Sequence, residues 1–164
     1  LLMLGRVAIR AGRFDDALGR LAEAKANFVH VGAKDDVLEV DARVAECRVF
    51  MGDSAAALEL ARDALARAGA SQGTAKVVPL LERVRGFALA QQGDPAGARQ
   101  ALEASLAAGR TRRDRFEVTL ALLALIELDR LAGVEPRADI VTESRGLLSS
   151  LKVRAVPAAP LVAR

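Results

Sequence analysis

The sequence lacks most of the residues that build enzyme sites and disulfide frameworks. Its 164 residues include no Trp, no Tyr and only five Phe. With Cys47 as the one cysteine and His30 as the one histidine, a disulfide within the chain and a pair of histidine metal ligands are both excluded. No cluster of glycines stands before a Lys-Ser or Lys-Thr pair, so no phosphate-binding loop is present. The longest apolar run, residues 120–126, is too short to cross a bilayer, and we expect no membrane partner.

The few chemically active side chains have structural explanations. Cys47 falls on an apolar helix face and is predicted to fill the core, which suggests a reducing, cytoplasmic environment. His30 lies near the end of a predicted helix, where the helix dipole or solvent explains it. The acidic pairs at residues 15–16 and 35–36 stand at predicted helix starts, where acids are favourable, and a metal role is the alternative. We therefore expect no catalytic site, no metal and no cofactor.

The charge is modest and dispersed. A net charge of +3 comes from 24 basic and 21 acidic residues, and only four of the basic residues are Lys. Because no basic stripe forms and no aromatic side chains accompany the Arg residues, direct nucleic-acid binding is not expected. One dense basic run occupies the predicted loop before the seventh helix. It is interpreted as a solvated connection, with a contact for an acidic partner or neighbouring domain and a nucleic-acid contact as the alternatives. Its residues are Arg110, Thr111, Arg112, Arg113, Asp114 and Arg115.

The composition predicts an all-α fold. Hydrophobic residues make up 52% and charged residues 27% of the chain, a globular composition. Side-chain volume must come from Leu, Val and many Ala, and Ala is the strongest helix former. No segment concentrates strand-forming residues with a period of two. Eight helices are predicted, over residues 1–11, 14–31, 35–51, 54–69, 76–92, 95–109, 113–132 and 136–150.

Small residues recur in one register along the chain. The first set, spaced by 40, 41 and 40 residues, is Gly12, Gly52, Gly93 and Gly133. Five residues after each stands an alanine: Ala17, Ala57, Ala98 and Ala138. Seven residues before the first three stand Gly5, Ala45 and Gly86, whereas the fourth has Ile126. The pattern predicts about four helix-turn-helix repeats, in which the small residues let paired helices approach each other.

Turn and capping residues support this register. Each repeat glycine is predicted to end a helix in the left-handed conformation. Asp53 and Asp94 follow as N-cap acceptors, and Pro95 then takes the first helical position. Asp36 with Glu39 suggests a capping box that opens the third helix. Pro79 is predicted in the first turn of the fifth helix.

These small-residue segments resemble the tetratricopeptide repeat family. The segment LGRVAIRAGRFDDALGRLAEA at residues 4–24 fits the family motif, and RGFALAQQGDPAGARQALEAS at residues 85–105 fits nearly as well. The resemblance implies a right-handed α-solenoid of antiparallel helix pairs over residues 1–150, followed by a tail at residues 151–164. The expected repeats are residues 1–33, 34–73, 74–111 and 112–150.

The repeat length resembles a particular group of proteins. Repeats near 40 residues, rather than the usual 34, are similar to those at the C-terminal end of large bacterial signalling ATPases that carry cyclase or DNA-binding domains. The tail LKVRAVPAAPLVAR is similar to the end of actinobacterial proteins of the adenylate or guanylate cyclase class. Because the chain begins inside an amphipathic helix without an initiator Met, we expect a fragment of a larger regulator.

The resemblance also implies a concave groove lined by the first helix of each repeat. The outward positions expected there are Arg6, Arg10, Glu39, Glu46, Arg83, Gln91, Glu127 and Arg130. Mixed charges of this kind suit an extended or helical peptide, although ordinary solvated helix faces are the alternative. We expect a non-catalytic scaffold that binds a protein, a peptide or adjacent domains of the same chain. The second hypothesis is a domain that senses a small-molecule effector and switches an attached cyclase, ATPase or DNA-binding domain. The oligomeric state is left open.

Overall fold

The computed structural model describes residues 1–69, 72–153 and 155–162, and within them the fold is all-α, as predicted. The described residues form eight α-helices, one short 3-10 helix and no strand. The α-helices are α1 (Leu2–Arg10), α2 (Phe14–His30), α3 (Lys34–Phe50), α4 (Ser54–Ala68), α5 (Val78–Gln91), α6 (Pro95–Thr111), α7 (Arg115–Leu131) and α8 (Ala138–Ser150). The 3-10 helix, Gln72–Val77, leads into α5. Residues 70 and 71, in the connection predicted between the second and third repeats, lie outside the described residues, as do Arg154, Ala163 and Arg164 of the tail.

The turns between paired helices have one common geometry. The four repeat glycines have φ of 71°, 86°, 80° and 69°, which confirms the predicted left-handed conformation. The residue after each glycine donates its N–H to a carbonyl five residues earlier, at Ala8, Arg48, Leu89 and Asp129. This bond satisfies one of the free carbonyls at the helix end. Gly32, with φ of 70°, forms the same turn between α2 and α3.

Most of the predicted capping residues are confirmed. Asp53 accepts from the N–H of Ala56 at 3.3 Å, and Asp94 accepts from the N–H of Gly97 at 2.8 Å. Pro95 is the first residue of α6. Pro79 is the second residue of α5, where no intrahelical N–H bond is lost.

The predicted capping box at Asp36 and Glu39 is wrong. Helix α3 begins at Lys34, its N-cap is Ala33, and no side chain caps it. Asp36 therefore lies inside the first turn, where its N–H bonds to the Ala33 carbonyl. Glu39 instead forms an ion pair with Lys76 at 2.9 Å, so its carboxylate ties α3 to the segment before α5.

Helices α7 and α8 begin later than predicted. Asp114 caps α7 by accepting from the N–H groups of Phe116 and Glu117, at 3.1 and 3.0 Å, so the helix begins at Arg115 and not at residue 113. Helix α8 begins at Ala138 rather than at residue 136, because Arg137 keeps an extended ψ of 130°. Ala138 is therefore an exposed first-turn residue and does not pack as Ala17, Ala57 and Ala98 do.

The core is built where consecutive helices pack on each other. Contacts also join α1 to α3, α3 to α5 and α5 to α7. The larger group of buried side chains extends from α3 to the tail, and a smaller one joins α1, α2 and α3. Cys47 belongs to the smaller group, is fully buried, and places Sγ 3.7 Å from the Phe14 carbonyl, which confirms its predicted place in the core.

The small residues predicted to lie between paired helices are buried in the first three repeats, whereas the turn glycines Gly12, Gly52 and Gly93 are not. Ala17, Ala45, Ala57 and Ala98 have no exposed surface. Gly5 lies directly against Leu21, and a Cβ built at Gly5 would come within 2.9 Å of the Leu21 side chain. The fourth repeat has Ile126 at the equivalent position, and it too is buried, at 4% exposure. None of the helices in the described ranges is long and apolar enough to cross a membrane.

Candidate binding cleft

A large open cleft lies where side chains of the odd-numbered helices converge. Its volume is about 820 Å³, and α1, α3, α5, α7, α8 and the tail all contribute to its lining. Apolar side chains form most of its surface, chiefly Phe50, Phe87, Phe116, Leu120, Leu123 and Ala124. Ligand-binding clefts in proteins have volumes in this range and a similar excess of apolar lining.

Five of the eight predicted groove residues line this cleft. They are Arg10, Glu46, Arg83, Glu127 and Arg130. Arg6 and Glu39 are not among its lining residues, and Gln91 contacts the tail beside it. Arg6 is partly buried on α1, where burial and the charges of Arg43 and Arg10 lower its pKa.

The placement of Arg83 and Glu46 at outward positions is wrong. The Arg83 side chain is only 3% exposed and Glu46 only 12%. Arg83 donates from Nε and Nη2 to Glu117 Oε2, at 3.3 and 3.2 Å. Its Nη2 also lies 3.4 Å from Glu46 Oε1. A buried guanidinium is tolerated here because two carboxylates pair with it.

This buried charge cluster includes two residues that the sequence did not single out. Arg43 donates from Nη1 to Glu46 Oε2 at 2.8 Å, and Glu117 pairs with Arg83. Arg43 stands three residues before Glu46 on α3, a spacing that favours a helical ion pair. No sequence pattern marks Glu117, because its contact with Arg83 depends on how α7 packs against α5.

Two members of the cluster, Glu46 and Arg83, have pKa values that favour their charged forms. Burial alone would raise the pKa of Glu46, but the positive charges of Arg43 and Arg83 outweigh it and leave the pKa below its usual value. Burial likewise acts to lower the pKa of Arg83, but Glu117 and Glu46 together raise it. Glu46 and Arg83 therefore stay ionised near neutral pH and provide a fixed polar surface at one end of the cleft.

Cations line the accessible part of the cleft. The Arg10 guanidinium carbon lies 4.9 Å from the centre of the Phe116 ring, so α1 and α7 meet across the cleft. Arg130 pairs weakly with Glu127, at 3.5 Å on the surface. Arg10 and Arg145 are exposed and form no ion pair with any other residue in the described part of the chain. Both are available to an anionic group in the cleft.

The tail lies along one side of this cleft. Gln91 Nε2 donates to the carbonyl oxygens of Val49, at 2.9 Å, and Pro160, at 2.7 Å. The side chain of Leu161 is 4% exposed and belongs to the larger core group. The Gln91 side chain thus holds the tail to α3 and α5.

The basic run at residues 110–115 is not a single loop. Arg110 and Thr111 end α6, Arg115 begins α7, and only the residues between them form the turn. Arg110 pairs with Glu143 at 2.6 Å, and Arg115 donates to the Ser150 hydroxyl. Both therefore contact α8, which reduces the cationic surface that an acidic partner could reach.

The remaining candidate groups stay isolated. His30 is exposed in the last turn of α2. Within the ranges that the structure describes, no group of three or more His, Cys, Asp or Glu side chains is arranged to hold a metal ion. Comparison with models of known protein families found no match, and no curated protein matches the chain significantly.

Proposed function

We propose that this chain is a non-catalytic binding module that holds a peptide, or a segment of a neighbouring domain, in its cleft. The cleft of about 820 Å³ carries the proposal, because side chains from four odd-numbered helices converge on it. A right-handed solenoid of four tetratricopeptide-like repeats would place those helices on its concave face. The contacts between alternate helices and the shared glycine turns support that arrangement.

The chemistry of the cleft suits a peptide that carries both apolar and acidic side chains. Phe50, Phe87 and Phe116 provide an apolar surface for aliphatic or aromatic side chains. Arg10 and Arg145 lie at the same cleft without ion-pair partners among the described residues. A carboxylate placed there would form charge-assisted hydrogen bonds that the isolated chain does not make.

A selection from a random peptide library tests this function. Peptides selected on the whole chain are expected to combine acidic and apolar residues, and Arg10→Glu should weaken their binding about tenfold or more. Arg62→Glu is the matched control, because Arg62 is exposed on α4 and lies outside the cleft. Equal loss with both variants would mean that net charge, and not the cleft, governs binding.

A second candidate is an effector sensor, in which the cleft holds a small apolar anion. The cleft volume and its largely apolar lining favour it. The probe is 1-anilinonaphthalene-8-sulfonate, which joins an apolar ring system to one negative charge. Saturable binding that Leu123→Arg abolishes, together with failure of the peptide selection, would favour the sensor over the scaffold.

We further propose a cellular context for this module. The repeat length near 40 residues and the resemblance to large bacterial regulators support a chain that belongs to a longer cytoplasmic signalling protein. In that setting the module would bind a partner or an adjacent domain and thereby regulate an attached activity.

A further inference from the structure

The first helix exposes an apolar face. Met3, Leu4 and Val7 of α1 are 63%, 51% and 55% exposed. They share one side of the helix, because Met3 and Leu4 lie four and three residues before Val7. Among the described elements, the backbone of α1 approaches only α2 and α3. None of these three side chains lines the cleft, so the face is a separate surface.

The equivalent positions are covered in each later repeat. In the register of the repeat glycines, Val7 corresponds to three buried residues, Cys47, Ala88 and Leu128. Met3 corresponds to three others that are also buried, Arg43, Val84 and Ala124. Leu4 corresponds to residues that are buried or half-buried, Val44, Arg85 and Leu125. The face of α1 is therefore the exposed member of a series that is otherwise covered.

The preceding helix pair provides this cover for α3. Cys47 belongs to a core group formed mainly by residues of α1 and α2, and Val44 packs against that group. Cys47 Sγ lies 3.7 Å from the carbonyl oxygen of Phe14, the first residue of α2. An ion pair joins the same elements, since Lys25 Nζ of α2 lies 2.7 Å from Asp41 Oδ1 of α3. A helix pair that stacks in this way covers the positions that Leu4 and Val7 occupy on α1.

The last helix has a different outer surface. The exposed residues of α8 are polar or small, namely Ala138, Asp139, Thr142, Arg145, Gly146, Ser149 and Ser150. A terminal repeat needs such a surface, because no further repeat packs on it. Met3, Leu4 and Val7 give α1 the apolar surface of an internal repeat instead.

We propose that Met3, Leu4 and Val7 form a docking surface for a further helix pair, which stacks on α1 as α1 and α2 stack on α3. The partner is a helix-turn-helix unit of the same kind. It places aliphatic side chains over Leu4 and Val7 and no charge, because a charge buried against these side chains would have no partner. The surface is independent of peptide binding in the cleft.

A chain with one added helix pair tests this inference. The probe is a second copy of residues 1–40 joined directly before Leu1, so that Leu1 follows Val40 as Asp41 does and the 40-residue spacing is kept. Val7→Cys is made only in the α1 that follows the added copy, where it recreates the position of Cys47. Labelling with N-ethylmaleimide is followed by intact mass, and the buried Cys47 is expected to react slowly. The Val7→Cys thiol should react rapidly in the unfused chain and at least about tenfold more slowly in the fused chain.

Two substitutions provide the controls. Thr142→Cys lies on the exposed surface of α8 and should be labelled equally fast in both chains. Leu4→Asp should be tolerated in the unfused chain, where residue 4 is exposed, but in the fused chain it would bury an unpaired carboxylate. It should therefore restore rapid labelling of the Val7→Cys thiol. Circular dichroism checks that each chain is helical, and the urea midpoint of the fused chain should exceed that of the unfused chain.

Two outcomes would overturn the inference. The first is equally rapid labelling of the Val7→Cys thiol in fused and unfused chains that are both helical. The second comes from sedimentation equilibrium, in which the unaltered chain is expected to be a monomer. A dimer in which the Val7→Cys thiol is protected would assign this surface to a second copy of the chain. Neither outcome affects the proposed binding of peptides in the cleft.

Discussion

Gly86 on α5 lies directly against Leu102 on α6. A Cβ at Gly86 would come 2.8 Å from Leu102 Cγ and 3.2 Å from the Ala98 carbonyl oxygen. Leu102 is fully buried, so it has little room to move away. The same relationship joins Gly5 to Leu21, which shows that the small-residue register marks two equivalent close approaches between paired helices.

Replacement of Gly86 by alanine should therefore destabilise the fold. Overpacking of a dense core costs about 1–3 kcal/mol, which exceeds the helix-propensity gain of up to about 1 kcal/mol from Gly to Ala. The measurement is the free energy of unfolding in urea. Gly86→Leu should lower the melting temperature further, by several degrees.

Gly19→Ala is the matched control for this substitution. Gly19 is also inside a helix, but it is exposed, and a Cβ there would meet no atom within 4 Å. Because only the helix-propensity effect remains, the change should stabilise the protein by about 0.5–1 kcal/mol. Changes of equal sign at Gly19 and Gly86 would mean that the close approach at Leu102 is absent.

Much of the fold could be predicted because its signals are local. Helix ends depend on Gly, Asp and Pro within a few residues, and the turn at Gly93, Asp94 and Pro95 contains all three. Two left-handed turns could not be predicted in this way, because Arg113, at φ 57°, and Lys152, at φ 55°, take the position that glycine usually occupies. Their side chains do not predict that conformation, although both turns close with the same backbone bond as the glycine turns, from Asp114 N–H to the Gly109 carbonyl and from Val153 N–H to the Leu148 carbonyl.

The cleft was less predictable, because its geometry depends on contacts between distant helices. The register of the small-residue repeat placed Arg83 correctly on α5. It could not show whether the Arg83 guanidinium faced solvent or Glu117 on α7. The contact between Gln91 and Pro160 joins residues 69 apart in sequence, and no repeat relates them. Sequence periodicity identifies which face of a helix is polar, whereas tertiary packing decides which polar groups become buried partners.

Loss of Glu117 should be costly because it leaves a buried cation under-compensated. Glu117→Ala removes two of the hydrogen bonds of Arg83, which is 3% exposed, and should destabilise the protein by about 3 kcal/mol. The control is Glu127→Ala, since Glu127 pairs with Arg130 on the surface and should cost about 0.5 kcal/mol or less. Adding Arg83→Met to Glu117→Ala should recover part of the lost free energy of unfolding. If the changes measured in urea for the two single variants simply sum to that of the double variant, the pairing is contradicted.

The charge cluster should also make stability depend on acid pH. The pKa of Glu46 in the folded chain lies below the ordinary value of 4.5, because Arg43 and Arg83 outweigh the effect of burial. A depressed pKa contributes stability that is complete above the unfolded value and is lost as the pH falls through the folded one. The free energy of unfolding should therefore fall as the pH is lowered through and below about 4.5, and it should fall less in Glu46→Gln. Parallel pH curves for the two proteins would show that Glu46 is not the responsible group.

Cys47 should be unreactive in the folded protein. Burial raises the pKa of its thiol to about 11, and the side chain has no exposed surface. The thiolate is the reactive form, so at pH 8 both its small population and its burial oppose attack on 5,5′-dithiobis(2-nitrobenzoic acid). We expect no release of the coloured thiolate product on the timescale of minutes in native buffer, and one equivalent per chain once urea has unfolded the protein. Because Cys47 packs in the core group formed by α1, α2 and α3, its rate of labelling at intermediate urea reports how often these helices separate. Rapid labelling in native buffer would mean that α1 and α2 open readily from the rest of the chain, contrary to the packing described for them.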